Sequence, residues 1–186
     1  MLLAIQFIVM YGGANWFTDQ RSDVHRIYFD WETRIPFVAP MVWVYASVSP
    51  LMLLPVFYLD VRQLNRLAQQ MAMAMLIATL VFLVYPGTTG YEPSAGSSWA
   101  IEMIRWVDRP YNVFPSLHIA LSAIIMFHLG VAFGMRGRIV LVIWMGALIA
   151  SVILTHQHHL ADVAGGLLLA YACWRLMPSA CAASSR

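Results

Sequence analysis

The chain has 186 residues, 61% of them hydrophobic and 11% charged, with a formal net charge of +2 and a mean hydropathy of +0.70. A soluble domain carries about 25% charged and about 45–50% apolar residues, and a core this small cannot hide such an excess. Lipid is therefore the expected solvent, which excludes a soluble enzyme, a disordered tail, a nucleic-acid module and a disulfide scaffold.

Taken in chain order, the apolar runs predict an all-α, polytopic bundle of six transmembrane helices in a single integral membrane domain, 1–186. The spans fall at about 1–17, 38–58, 69–85, 115–134, 139–155 and 162–177, with tilt and flanking aromatics blurring the ends. No positive residue precedes the first run, which argues against a cleaved signal peptide. After it, Val24, Ile27, Tyr28, Trp31 and Ile35 recur at helical spacing between acids and arginines. That pattern predicts either a helix over 19–35 lying among the lipid headgroups or a plain amphipathic turn. Pro86 to Pro93 reads as an exposed loop. Cys173 and Cys181 read as small apolar filler.

All eleven basic residues are Arg and form no stripe for a nucleic-acid backbone. Arg62, Arg66, Arg136, Arg138, Arg175 and Arg186 fall on one set of connections, with Asp60 as their only acid. The other set holds Arg21, Arg26, Arg34, Arg105 and Arg109 but also seven acids over a longer stretch. Arginine density marks the first side as cytoplasmic, so six spans put both termini inside. The expected setting is a bacterial inner membrane or its equivalent.

Ionisable residues in or beside spans are costly and point to function. Two outer clusters stand out. In Asn112-Val113-Phe114-Pro115-Ser116-Leu117-His118, Pro115 is suited to the first helical position. The N–H groups of Ser116, Leu117 and His118 then offer an anion site. In Thr155-His156-Gln157-His158-His159-Leu160-Ala161-Asp162, His158 and Asp162 are four apart and share a face if helical. From His118 to Arg136 is roughly 27 Å of helix, and from Arg138 back to His158 roughly 30 Å, so one hairpin returns both histidines to the same outer depth. This match makes His118, His158 and Asp162 the catalytic candidates. His159 is expected to be a neighbour, His156 a phosphate contact or an interface residue, and His128 the maker of a core hydrogen bond.

At these residues the chain resembles the type 2 phosphatidic acid phosphatase superfamily, whose motifs are K-x6-R-P, P-S-G-H and S-R-x5-H-x3-D. Pro115-Ser116-Leu117-His118 meets the second with Leu117 for glycine; Ser151, His158 and Asp162 meet the third with Val152 for arginine. Of the first motif only Arg109-Pro110 is present, and Glu102 stands at the lysine position. The resemblance covers about 38–177. Phe-Pro-Ser-Leu-His and His-x-x-x-Asp without the arginine are closer in form to the branch of inositol phosphorylceramide and sphingomyelin synthases.

The resemblance implies a lipid phosphate substrate held among membrane lipids at the extracytoplasmic face, with no metal and no cofactor. His158 would form a phosphohistidine, Asp162 would fix its tautomer, and His118 would protonate the leaving alkoxide. Ser116 and the N–H groups beside it would hold phosphate oxygens, with Arg109, Arg105 and His156 as further phosphate contacts. Hydrolysis is favoured narrowly over transfer to an acceptor alcohol. Two other classes stay open: a metal-dependent enzyme or transporter using the same histidines, and a scaffold packed through Ala161, Gly165, Gly166 and Ala170. The oligomeric state is left open.

Overall fold

The computed structural model describes residues 2–21, 23–91 and 112–177. α1, Leu2–Thr18, leads into the segment read as either a helix over 19–35 or a plain amphipathic turn; its described residues form no α-helix. That segment instead holds a two-residue strand β1, His25–Arg26, and a single 3₁₀ turn, Glu32–Arg34. β1 pairs in parallel with β2, Gly87–Thr88, with His25 opposite Gly87 and Arg26 opposite Thr88. Tertiary pairing overrides the local period here: the His25 N–H donates to the Pro86 carbonyl and the His25 ring stacks on Tyr85. Residues 85–91 are thus the partner of 23–37, not a free loop.

The second apolar run forms three short helices in line: α2 Met41–Ala46, α3 Val48–Leu51 and α4 Leu54–Tyr58. Pro50 and Pro55 explain the breaks, since each lacks an N–H and crowds the carbonyl four residues earlier. α5, Val61–Val84, begins well before the expected 69. Asp60 caps it: its carboxylate accepts the Gln63 N–H at 2.8 Å and its own N–H donates to the Gln63 side chain at 2.9 Å. α6 Leu117–Ala132, α7 Met135–Leu154 and α8 Leu160–Leu176 complete the described elements.

α6 is the centre. It packs against α5, α7 and α8, and Ile119, Ala120, Ile124, Ile125 and Leu129 are fully buried. An apolar sequence all round is what a central helix needs. His128 makes the expected core hydrogen bond, with its Nε2 2.8 Å from Gln70 Oε1; the Gln70 amide and the Arg66 guanidinium both donate to the Met177 carbonyl. Cys173 is buried as filler, and Cys181 lies outside the described residues.

Val61–Val84 and Met135–Leu154 are each long and apolar enough to cross a membrane; Met41–Leu51 and Leu117–Ala132 are apolar but shorter. The outward faces are apolar too, with Leu76, Leu80, Ile139, Val140, Val142, Ile143 and Leu168 all exposed.

Candidate active site

Two helix starts meet at one end of the bundle. α6 begins at Leu117, two residues later than Pro115 suggested, because Ser116 is the cap: its backbone is extended and its hydroxyl accepts the Ile119 N–H. The Phe114–Pro115 peptide is cis. Ser116 is fully buried, and its N–H donates to the Asp162 carbonyl at 3.0 Å. This bond ties α6 directly to the first turn of α8. Gly166 allows the approach, since a Cβ there would stand 2.5 Å from the Ser116 carbonyl oxygen. Of the donors expected for an anion, the Ser116 N–H is thus spent on joining the two helices, while the hydroxyl accepts from within α6. The first turn of α6 also carries the N–H groups of Leu117 and His118.

The loop between α7 and α8 carries the second half. The Val152 carbonyl accepts both the Gln157 N–H at 2.9 Å and the His158 N–H at 3.1 Å, folding the chain back over the end of α7. His156 takes a positive φ of 59° at the reversal. His158 therefore lies in the loop, two residues before α8, and does not share a helix face with Asp162 as the spacing predicted. The contact still forms. Asp162 sits in the first turn of α8, its Oδ2 accepting the His159 N–H at 2.8 Å and lying 3.7 Å from His158 Nδ1. Both side chains are buried, and among the described residues His158 Nδ1 and Asp162 Oδ1 have no hydrogen-bond partner. Buried groups left in that condition call for an explanation, and chemistry is one.

His118 faces this pair. Its ring centroid is 6.0 Å from that of His158. Two imidazoles at that separation can border one phosphate group, one beside phosphorus and the other beside the leaving oxygen. His118 Nε2 lies 2.8 Å from the hydroxyl of Tyr45, a buried residue of α2.

The remaining candidates divide. His156 turns to the 35–37 segment, with its Nε2 2.9 Å from the Ile35 carbonyl, its ring stacked on Tyr91 at 3.9 Å and Phe37 edge-on. Arg105 and Arg109 lie outside the described residues. His159 is more than a neighbour. It is 1% exposed, bonded through Nε2 to the Thr89 carbonyl at 2.5 Å, and parallel to both Tyr28 and Tyr91. Burial, with the Glu32 and Asp162 charges adding to it, pushes the Tyr91 phenol up to about 12. Tyr91 therefore stays a neutral donor, its hydroxyl 3.4 Å from His159 Nδ1.

Sequence reading missed Tyr45, Tyr91 and Glu32. Tyr45 carried a weak signal as a hydroxyl within an apolar run. Glu32 carried none, because its partner in α8, Leu160, is 128 residues away in the chain. Among the described residues no group of three or more His, Cys, Asp or Glu is arranged to hold a metal ion.

A family model of the PAP2 superfamily matches residues 23–176, which takes in both helix starts and the loop that carries His158. The chain belongs to the PAP2 superfamily. Members of the PAP2 superfamily are typically phosphoesterases that act on phosphate-bearing substrates, so a phosphatase or phosphotransferase activity goes with the fold. Comparison with curated proteins and with solved structures gave no match.

Proposed function

We propose that this PAP2-superfamily chain is an integral membrane lipid phosphatase. It crosses the bilayer six times and hydrolyses a lipid phosphate ester at the extracytoplasmic face without a metal. The observation that carries this reading is the pair of imidazoles 6.0 Å apart, one of them backed by a buried carboxylate. Support for the membrane comes from the apolar outer faces and from the arginines Arg62, Arg66, Arg136, Arg138 and Arg175 gathered at the end opposite the histidines. Exposed Trp16, Phe17, Phe29, Trp31 and Trp43 at the histidine end suit an aromatic belt.

In the first step His158 Nε2 donates its lone pair to phosphorus, and the bond from phosphorus to the lipid oxygen breaks. Asp162, facing Nδ1, keeps the proton on that nitrogen and offsets the charge that forms on the ring. His118 gives its proton to the departing oxygen. In the second step water attacks phosphorus, His118 takes a proton from it, and the N–P bond breaks to release phosphate and neutral His158. The Leu117 and His118 N–H groups, with Arg105 and Arg109, hold the equatorial oxygens. Ser116 serves by fixing the turn that presents them.

One observation favours a second reading, transfer of a phospho-headgroup to an acceptor alcohol. Val152 stands where the phosphatase motif has arginine and is fully buried, so that position supplies no cation for a phosphate dianion. A monoanionic phosphodiester needs less positive charge. The test is purified protein in detergent with lipid phosphomonoesters and phosphodiesters, with and without an alcohol acceptor, products resolved by mass. Free phosphate from wild type, and none from His158→Ala or His118→Ala, is the expected result. Turnover by His158→Ala at the wild-type rate would end the phosphohistidine reading, and a transferred headgroup would replace hydrolysis by transfer.

A further inference from the structure

Among the described residues Glu32 is the most deeply buried acid outside the proposed triad, 0% exposed, and it belongs to a segment that the sequence places far from the site. Its Oε2 accepts the Phe29 N–H at 2.8 Å, within its own turn. Its Oε1 accepts the Leu160 N–H, also at 2.8 Å, and lies 3.6 Å from His159 Nδ1. Leu160 opens α8, so its N–H is one of the four at a helix start that have no acceptor within the helix. Two carboxylates thus share one helix terminus. Asp162 takes the His159 N–H and Glu32 takes the Leu160 N–H.

This division has a chemical consequence. Without Glu32 the other carboxylate seen at this helix start is Asp162, and a capping bond is favourable enough to redirect a side chain. Asp162 would then turn its second oxygen onto the backbone and away from His158 Nδ1.

We propose that Glu32 is a positioning residue for the reaction: by capping α8 through the Leu160 N–H, it leaves Asp162 free to orient His158. The proposal rests on the phosphohistidine reading above. It also gives the 23–37 segment a task, since that segment delivers the carboxylate to α8.

The test uses the full-length protein in detergent, with rates normalised to the phosphoenzyme burst so that only folded, competent sites are counted. Glu32→Ala is expected to lower kcat about 10- to 100-fold, the usual effect of a residue that orients a reacting group from behind, with KM within threefold of wild type. Glu32→Gln keeps an oxygen for the Leu160 N–H and is expected to recover most of that loss. Leu160→Pro removes the N–H itself. Proline is tolerated at a first helical position, and His159 before it is already extended, as proline requires. With no N–H left for Asp162 to turn to, adding Leu160→Pro to Glu32→Ala is expected to restore kcat most of the way to wild type.

Wild-type kcat in Glu32→Ala, or a double variant as slow as Glu32→Ala or slower, would overturn the proposal. His158→Ala runs in parallel. If it is inactive while Glu32→Ala is unimpaired, only the role of Glu32 falls. If it is active, the phosphohistidine reading fails and the role of Glu32 fails with it.

Discussion

Gly166→Ala tests whether the two helix starts act as one unit. The added Cβ would lie 2.5 Å from the Ser116 carbonyl oxygen and 3.1 Å from Ile119 Cβ. The first obstacle is backbone and cannot rotate aside. Ordinary contact begins at 3.4 Å, so α8 must withdraw from the start of α6 by about 0.9 Å. Ser116 precedes His118 by two residues, and Asp162 precedes Gly166 by one turn, so the displacement falls directly on the His118–His158 separation. Misplacement of reacting groups by about 1 Å costs on the order of 10²-fold in rate, or about 2.7 kcal/mol of barrier. The stability change is smaller. Overpacking costs about 1–3 kcal/mol, and replacing glycine by alanine within a helix returns about 1 kcal/mol. The signature is therefore a kcat about 100-fold down in a protein that still melts as a folded species. It is measured as phosphate release alongside a thermal melt in detergent. Gly146→Ala in α7, where a Cβ meets nothing within 4 Å, is the control and should leave the rate unchanged. If Gly166→Ala keeps its rate within threefold of wild type, closeness of the helix starts does not set the catalytic geometry and the reasoning fails.

Tyr45→Phe removes the hydroxyl 2.8 Å from His118 Nε2 and should lower kcat about 10-fold with little change in melting temperature, because the ring still fills its buried place in α2. Tyr91 has a folded pKa raised to about 12 from the ordinary 10, so the stability it contributes is present below pH 10 and lost as pH rises from 10 toward 12. In melts across that range, Tyr91→Phe should lose less stability than wild type; an equal loss would show that Tyr91 is not the group responsible. Asp60→Ala removes the cap of α5 and should cost about 1 kcal/mol of stability, with kcat unchanged because the cap lies at the opposite end of the bundle.

Much of the site was legible because its geometry is local arithmetic. Helical rise alone returned His118 and His158 to one depth, and the structure joins them across α6, α7 and the loop that follows. What failed was the assumption of unbroken helix. His158 is carried by a loop whose reversal at His156 is secured by the Val152 carbonyl, and no residue spacing announces that bond. Residues 19–35 show a helical period, yet Ile27 and Tyr28 earn their places differently. Ile27 lies over Gly87 and Tyr28 over the His159 ring, contacts that span the chain. Pro50 and Pro55 carry a signal for the breaks in the second run that the reading of one span over 38–58 did not use. Tyr45 and Glu32 lie 73 and 128 residues from the groups they bind, so only the tertiary fold reveals them.

The buried carboxylates of the site are held by backbone donors. Glu32 and Asp162 are both buried, and a buried carboxylate facing only apolar atoms would be prohibitive. Their hydrogen bonds among the described residues come from backbone N–H groups: Phe29 and Leu160 for Glu32, His159 for Asp162. Two of those three donors belong to the start of α8, where a helix presents about half a positive charge. The macrodipole of α8 thus stabilises both buried anions, and on the proposed mechanism the start of α6 faces the phosphate. This division of labour requires the helix starts to lie side by side yet serve different anions. The Ser116 N–H bonded to the Asp162 carbonyl, and Gly166 beneath the Ser116 carbonyl, supply that closeness.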